Sequence, residues 1–241
     1  NFEIRVFSPP TVNSFIGQNL PAAAIKEIPA ICFHRENYII DYGKTFIKNL
    51  PLLGGLSAEV DRVCSIMEEQ EIAVLVSDFE PITAMAADRL KIPLLNLNHP
   101  GVVLRYFSMM PDALAAKVAA RIMMPARGMN LITSFYGGDI GPIIRKGVKE
   151  KVSTTGSHFC VYAKPDSKVK IIEALDFFPD NDFLVFPDSK LDFTEALAGC
   201  RGIIGPAGHQ MLSEALFLRK PVLAFPEKMQ FEQRLNALML E

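Results

Sequence analysis

The chain has 241 residues, of which 49% are hydrophobic and 22% are charged, and its formal net charge is −2 at neutral pH. A chain of this length forms one or two domains, each with a buried core of its own. The near-neutral charge, without a basic stripe interleaved with aromatic residues, argues against nucleic-acid binding. The sequence shows neither a signal peptide nor a continuous apolar segment of membrane length, so we expect a cytoplasmic protein.

Four cysteines occur in the chain, all in apolar surroundings and none paired at a spacing typical of metal ligands. They are Cys32, Cys64, Cys160 and Cys200. We therefore expect reduced thiols in the protein core.

Apolar strands alternate with helical segments along the chain, which predicts an α/β fold with parallel sheets. The strands predicted in the first half cover residues 2–7, 72–76 and 92–97, and the helices cover 58–70, 82–90 and, with an interruption at Pro111, 102–127. The strands predicted in the second half cover 158–163, 183–186, a short segment ending at Ile204, and a buried segment at 221–226; the helices cover 169–175, 193–198 and the residues after Gly208.

A glycine-rich segment, residues 136–142, separates these two series of elements and has the composition of a linker. We therefore predict two Rossmann-like domains, residues 1–138 and 139–241, which face each other across a cleft. The carboxyl ends of the strands are expected to open on that cleft, because ligands of open α/β sheets bind there.

Polar side chains follow two of the predicted strands in the first half. Asp78 and Glu80 come after the strand that ends at residue 76, and His99 comes after the next one. Asp78 and His99 are therefore candidate catalytic bases. Structural roles remain open for both, because an aspartate before a helix is commonly an N-cap and a histidine before a proline is often a hydrogen-bonded turn residue.

The last 37 residues, beginning at Gly205, contain two consecutive strand-to-helix turns. In the first, Gly208 lies where a helix begins, so a backbone without a side chain lets an anion approach the free N–H groups at the positive end of the helix dipole. In the second, amide and carboxylate side chains that bind hydroxyl groups cluster at the start of the next helix: Glu227, Gln230, Glu232, Gln233 and Asn236. A phosphate site and a polyol site on one sheet edge indicate a nucleotide-sugar ligand.

The order of residues in this segment resembles the donor-binding half of GT-B glycosyltransferases. The matching positions are Gly208, Ser213-Glu214, Pro221, Pro226, Glu232-Gln233 and Asn236-Ala237. The likeness is to family 28, the type of the bacterial N-acetylglucosaminyl transferase that makes lipid II. More narrowly, the segment is similar to an uncharacterised bacterial and archaeal branch with a Gln-Phe-Glu-Gln loop. Two Rossmann-like halves joined near residue 140 also follow the GT-B plan.

The resemblance implies a role for each of these residues. Gly208 and the backbone of His209 would hold the donor diphosphate, Glu214 the ribose, and Gln230, Glu232 and Gln233 the donor sugar. Plant and animal relatives carry a phosphate-binding histidine two residues before the glycine, where this chain has Pro206. Diphosphate binding would therefore depend on backbone amides, with help from the side chain of His209.

The resemblance also implies chemistry and chain organisation. The donor would be a UDP-sugar, transfer would be inverting, and no cofactor or metal would be required. The only Asp-x-Asp run, Asp180-Asn181-Asp182, precedes a strand and so belongs to the opposite sheet edge. Family 28 relatives begin one strand earlier, with a glycine-rich loop, so we expect the chain to lack that strand and loop. Because it ends at Glu241 inside a predicted helix, we also expect the sequence to be a fragment or the ordered part of a longer protein.

Four functional hypotheses remain at this point. The first is a glycosyltransferase acting on an unidentified lipid, glycan or small-molecule acceptor. The second is a UDP-sugar epimerase on the same fold, and the third is a non-catalytic nucleotide-sugar-binding module. The fourth adds peripheral contact with the inner face of a membrane through Arg105, Lys117, Arg121, Arg127 and the apolar residues around them.

Overall fold

A computed structural model describes residues 3–36, 39–124 and 128–240. The chain forms two compact units. Unit 1 comprises Asn1–His34, Asp41–Asn98 and Ala119–Asn130, and unit 2 comprises Arg35–Ile40, His99–Val118 and Leu131–Glu241. Both units have the α/β architecture that the alternation of strands and helices predicts.

Unit 1 contains two short sheets and three helices. Strands β1 (Arg5–Ser8) and β2 (Ala24–Glu27) pair in parallel and are connected by α1 (Pro10–Asn19). A second sheet has the order β5-β6-β7, in which β5 (Leu75–Ser77) and β6 (Leu94–Asn98) are parallel. Strand β7 spans Met129–Ile132, and its last two residues belong to unit 2. The helices α2 (Tyr42–Glu69) and α3 (Pro81–Leu90) contribute to the core of this unit.

The carboxyl-terminal half of α2 carries apolar residues at helical spacing, and they form its internal face. Val60, Val63, Cys64 and Met67 are all buried in the core of unit 1. The predicted start of this helix at residue 58 is wrong, because α2 begins at Tyr42, where Asp41 caps it by accepting a hydrogen bond from the amide of Lys44.

Unit 2 is built on a four-stranded parallel sheet with the order β11-β10-β8-β9. Its strands are β8 (His158–Tyr162), β9 (Asp182–Phe186), β10 (Gly202–Pro206) and β11 (Val222–Phe225). The helices that follow these strands are α6 (Lys168–Leu175), α7 (Phe193–Gly199), α8 (His209–Phe217) and α9 (Phe231–Leu238). Because all four strands are parallel, their carboxyl ends lie along one edge of the sheet.

The rest of unit 2 consists of short elements. They are the antiparallel pair β3 (Arg35–Glu36) and β4 (Ile39–Ile40), a 3₁₀ helix over Pro100–Arg105, α4 (Pro111–Met123, whose last residues belong to unit 1), and α5 (Lys146–Lys149). The segment predicted to be helical with an interruption at Pro111 is divided into the 3₁₀ helix and α4, and Pro111 is the first residue of α4, where its fixed φ suits the first turn.

Two further features of unit 2 differ in detail from the sequence-based expectation. Strand β11 is parallel as predicted but not buried, because Leu223 and Phe225 are 65% and 37% exposed. The glycine-rich segment 136–142 forms a tight loop, in which Thr133 bridges to Ile140. Gly137 has a φ of +54°, and a Cβ there would lie 2.5 Å from the hydroxyl of Tyr106, so the loop requires glycine.

Candidate functional site

The amino end of helix α8 is an uncapped helix terminus at the carboxyl edge of the sheet in unit 2. Gly208 is its N-cap residue, with φ −73° and ψ 133°, and no side chain caps the helix. A Cβ built on Gly208 would meet no heavy atom within 4 Å. The free amides of the first turn and the helix dipole therefore face an open space, which favours an anion.

His209, the first residue of α8, is held in a stack of rings. Its imidazole lies over that of His99 with 3.6 Å between centroids, and over the ring of Phe135 at 5.6 Å. Burial, together with the charge of His99, lowers the pKa of His209 to about 3. The side chain is therefore neutral near pH 7, and it can offer an anion its backbone amide but not a positive charge.

Asn236 on α9 connects this stack to two other elements of unit 2. Its Nδ2 donates to the carbonyl oxygen of Ala207 at 2.9 Å, which fixes the orientation of the amide. Its Oδ1 accepts hydrogen bonds from Nε2 of His99, at 3.0 Å, and from the hydroxyl of Tyr136. Asn236 is completely buried, so removal of its side chain would take a partner from three polar groups, two of them on the buried residues Ala207 and His99.

Both ring nitrogens of His99 face hydrogen-bond acceptors. Nδ1 lies 3.0 Å from the carbonyl oxygen of Thr133, and Nε2 lies 3.0 Å from Oδ1 of Asn236. Burial lowers the pKa of His99, and these two hydrogen bonds act in the opposite direction. Only an imidazolium satisfies both acceptors, and neither protonation state leaves a ring lone pair directed at open space. We infer that His99 is poorly placed to act as a general base.

Glu232 lies beside His99 at the start of α9. Its Oε1 is 3.6 Å from Nε2 of His99, and its side chain is 22% exposed. Burial raises the pKa of Glu232 to about 7, against the opposing effect of a hydrogen bond with Asn236. Glu232 can therefore accept a hydrogen bond from a hydroxyl group when it is ionised and donate one when it is protonated.

Gln230 and Gln233 place two amide groups near the same end of α9. Oε1 of Gln230 is a buried acceptor with no hydrogen-bond partner among the residues that the structure describes. Oε1 of Gln233 accepts from the amide of Glu227 at 3.0 Å, and Gln233 is 4% exposed. A buried acceptor without a partner is costly unless a water molecule or a ligand supplies the donor.

Glu214 lies in the middle of α8, where its carboxylate is paired. Nε and Nη2 of Arg145 donate to it at 2.7 and 2.6 Å, and Nε2 of Gln210 donates at 2.8 Å. Burial alone would raise the pKa of Glu214, but the hydrogen bonds from Arg145 and Gln210 outweigh burial and lower it. A ribose hydroxyl would therefore have to add to this cluster or displace one of its donors.

Asp78 and Glu80 lie in unit 1, in the turn between β5 and α3. Glu80 is the N-cap of α3, and its carboxylate accepts hydrogen bonds from the amides of Ile82 and Thr83. The capping role that the sequence left open for Asp78 thus belongs to Glu80. Asp78 is exposed and remains available as a candidate base.

The acidic run at residues 180–182 lies at the amino end of β9, away from the edge that carries Gly208, as its position before a strand predicts. Within residues 3–36, 39–124 and 128–240, no three His, Cys, Asp or Glu side chains are grouped so as to hold a metal ion. At the carboxyl edge, Lys164 after β8 forms an ion pair with Glu227, which links two of the strand ends.

Sequence reasoning missed three parts of this arrangement. Arg145 and Tyr136 were not predicted to contact site residues, and Asn236 was recognised only as a hydroxyl-binding side chain. The sequence does offer a signal for Tyr136: it forms an aromatic pair with Phe135 beside the glycines of the loop, and such a pair predicts that the rings pack against the protein. For Arg145, 69 residues from Glu214 along the chain, we find no comparable signal.

Comparison with known proteins agrees with this geometry. The model of the family "Glycosyl transferase family 1" matches residues 2–241. Among solved structures, Phytolacca americana UGT2 complexed with UDP-2fluoro-glucose and pterostilbene has a TM-score of 0.61 at 13% identity, covering 99% of this chain and 76% of that one. Medicago truncatula UGT71G1 complexed with UDP-glucose has a TM-score of 0.55 at 12% identity, covering 100% and 76%.

A glycosyltransferase of kitacinnamycin is similar to the same degree, with a TM-score of 0.61 at 12% identity, covering 100% of this chain and 77% of that one. No curated protein matches the sequence. The fold is therefore that of GT-B glycosyltransferases. The chain belongs to glycosyl transferase family 1, and it is an enzyme that transfers a sugar from a nucleotide sugar.

Proposed function

We propose that unit 2 binds a UDP-sugar and that the enzyme transfers the sugar with inversion and without a metal ion. The observation that carries this proposal is the uncapped start of α8 at the same sheet edge as the amide and carboxyl groups of α9. Two of the similar structures are complexes with UDP-2fluoro-glucose and with UDP-glucose, which supports UDP as the nucleotide of the donor. We also propose that the enzyme is related to family 28 and, within it, to the bacterial and archaeal branch.

The diphosphate is proposed to lie over Gly208, against the first free amides of α8. In an inverting transfer, a base removes the proton of the acceptor hydroxyl as its oxygen attacks the anomeric carbon. The bond from that carbon to the diphosphate breaks at the same time, and the helix-end amides stabilise the charge that develops on the leaving UDP. Asp78 is the proposed base, because it is exposed and has no capping role.

The remaining donor contacts are assigned by the chemistry of the side chains. The ribose hydroxyls are proposed to bind at the Glu214–Arg145 pair, where an ionised carboxylate is held in place. The hydroxyls of the sugar are proposed to bind Gln230, Glu232 and Gln233. The buried Oε1 of Gln230 can accept a hydrogen bond from a hydroxyl group. The pKa of Glu232, about 7, suits a hydroxyl ligand as well.

The proposal is tested by incubating the protein with UDP-sugars, with and without a cell extract, in the presence and absence of EDTA. UDP release that depends on extract and survives EDTA supports metal-independent transfer. A new UDP-sugar formed without extract would indicate epimerisation instead. Binding without turnover would reduce the protein to a nucleotide-sugar-binding module, and loss of activity in EDTA would contradict the helix-end mechanism.

The division between ribose and sugar residues leads to a specific prediction. Glu214→Ala should weaken the binding of free UDP by roughly tenfold, because the ribose loses a charge-assisted acceptor. Gln233→Ala should leave UDP affinity nearly unchanged and weaken only the intact UDP-sugar. Calorimetry with both ligands measures the difference, and equal effects of the two substitutions on free UDP would disprove the assignment.

We further propose that the acceptor is presented at a lipid surface. The segment between the 3₁₀ helix and the start of α4 exposes Phe107 by 89% and Met109 by 76%, and Lys117 lies 5.7 Å above the ring of Phe107. Exposed apolar groups beside a cation suit an anionic membrane surface. None of the described helices is long and apolar enough to cross a bilayer, so the proposal concerns surface contact only.

Replacing Phe107 and Met109 together by serine should lower severalfold the fraction of protein that sediments with phosphatidylglycerol vesicles. The matched control replaces Val169 and Phe177, which are 67% and 83% exposed elsewhere in unit 2. Equal loss in both variants would show that the vesicles respond to general surface hydrophobicity.

A further inference from the structure

A basic cavity lies at the amino edge of the sheet in unit 2, opposite the edge that carries Gly208. Its volume is about 430 Å³. Its charged lining consists of Lys149, Lys151, Arg201, Arg219 and Lys220. These residues come from three separate segments of the chain: the end of α5, the start of β10, and the end of α8. The fold therefore brings cations together that are distant in sequence.

No carboxylate contributes to the lining of this cavity. Lys151 forms an ion pair with Glu195, a residue outside the lining whose side chain is 66% exposed. The guanidinium of Arg201 lies 5.6 Å from the ring centre of Phe159, and none of the described acidic residues forms a salt bridge with it. Five like charges around one cavity repel each other, and an anion would relieve that repulsion.

Lys220 is the least exposed of these cations, at 6%. Its Nζ donates to the backbone carbonyl oxygens of Thr154 and Cys200, the latter at 2.9 Å. In the described part of the chain, no carboxylate lies within salt-bridge distance of this ammonium. A buried ammonium is costly without a counter-charge, so the site is incomplete unless an anion supplies one.

Arg219 adds an observation from the backbone. It follows the C-cap residue of α8 and has a φ of +55°, in the left-handed region where glycine is the usual residue. Favourable interaction with the helix dipole explains a cation at this end of α8. It does not explain Lys149 or Arg201, which approach the cavity from other segments.

We propose that this cavity binds a phosphate-class anion with at least two negative charges. A volume of about 430 Å³ lies within the range of small-molecule sites, so it can hold a diphosphate, a phosphorylated metabolite or a lipid headgroup. The inference is independent of the proposed donor site, because the two lie at opposite ends of α8.

The test is calorimetric titration of the full chain with inorganic pyrophosphate at low ionic strength. Pyrophosphate can also occupy the proposed diphosphate site over Gly208, so the titration is repeated in a Gly208→Val background. Binding that persists there belongs to the basic cavity. UDP is titrated in parallel into the Gly208→Val variant and into a variant of the cavity. UDP affinity that is lost in the first and kept in the second reports on the donor site, so failure of one proposal is distinguishable from failure of the other.

The cavity variant combines Lys149→Ala with Arg219→Gly. Both side chains are exposed, and glycine relieves the left-handed backbone strain at residue 219, so this variant should retain its melting temperature. The matched control combines Lys146→Ala with Lys190→Ala, which removes the same charge from exposed positions of unit 2 outside the cavity.

We expect the cavity variant to bind pyrophosphate roughly tenfold more weakly or worse, and the control to bind within about twofold of the parent protein. A second arm measures sedimentation with vesicles of phosphatidylglycerol and phosphatidylcholine. Loss confined to the vesicle arm identifies a lipid phosphate as the source of the anion. The proposal is overturned if neither probe binds, or if the cavity and control variants weaken binding equally.

Discussion

Gly208→Val should weaken UDP binding by roughly 100-fold or more while leaving the melting temperature unchanged, the equivalent of losing two charge-assisted hydrogen bonds. The backbone conformation itself does not require glycine here, because φ is −73° and any residue adopts it. The space that the Cβ would enter is open, so a valine folds without collision. Its branched side chain instead occupies the place where the phosphates approach the helix amides.

The matched control for this substitution is Gly141→Val. Gly141 also belongs to unit 2, has no heavy atom within 4 Å of a built Cβ, and lies outside the site. Calorimetry with UDP and thermal melting of both variants separate a ligand effect from a folding effect. If Gly208→Val keeps full UDP affinity, the diphosphate does not lie over α8, and another anion site must hold it.

The elements of unit 2 were predictable because each signal is local. The run of apolar residues up to Ile204, the glycine turn and the helical spacing that follows predict β10 and α8, and the structure has them at Gly202–Pro206 and His209–Phe217. Turn residues and hydrophobic period act over a few residues, so one sequence is enough to locate such a strand-to-helix turn.

The length of α2 was not predictable from the same local signals. Pro51 and the pair Gly54-Gly55 normally end a helix, yet α2 continues through all three. Its amino-terminal part is held instead by tertiary hydrogen bonds. The side chain of Asn49 is hydrogen-bonded to the backbone N–H and carbonyl oxygen of Cys32, and the hydroxyl of Thr45 accepts a hydrogen bond from the amide of His34. Contacts from a distant segment override local propensity here.

The hydrogen-bond network of the site could not be derived from the sequence for a related reason. His99 and Asn236 are 137 residues apart, and nothing in either segment indicates their contact. The sequence correctly selects residue types that bind hydroxyls and phosphates, but it does not show which of them are already engaged by the protein. Glu214, His99 and Gln230 were all candidate site residues, and only the contacts show that the first two are engaged by the protein.

The largest expected effect on turnover comes from the candidate base. Asp78→Asn should lower kcat by roughly 10²–10⁴-fold with UDP affinity and melting temperature unchanged, because an exposed carboxylate without a capping role loses only its ability to take a proton. His99→Gln should instead lower the melting temperature, since it disturbs the contacts with Thr133 and Asn236 and the stack on His209, and it should reduce kcat less.

Glu80→Gln provides the control, two residues from Asp78 in the same turn. It weakens the acceptors that cap α3, so it should lower stability by about 1 kcal/mol and leave kcat nearly unchanged. Steady-state kinetics and thermal melting of the three variants distinguish a base from a cap and from a packed histidine. A large loss of kcat in His99→Gln at unchanged melting temperature, with Asp78→Asn active, would transfer the role of base to His99. The hydrogen bonds of that imidazole to Thr133 and Asn236 would then not persist when the acceptor binds.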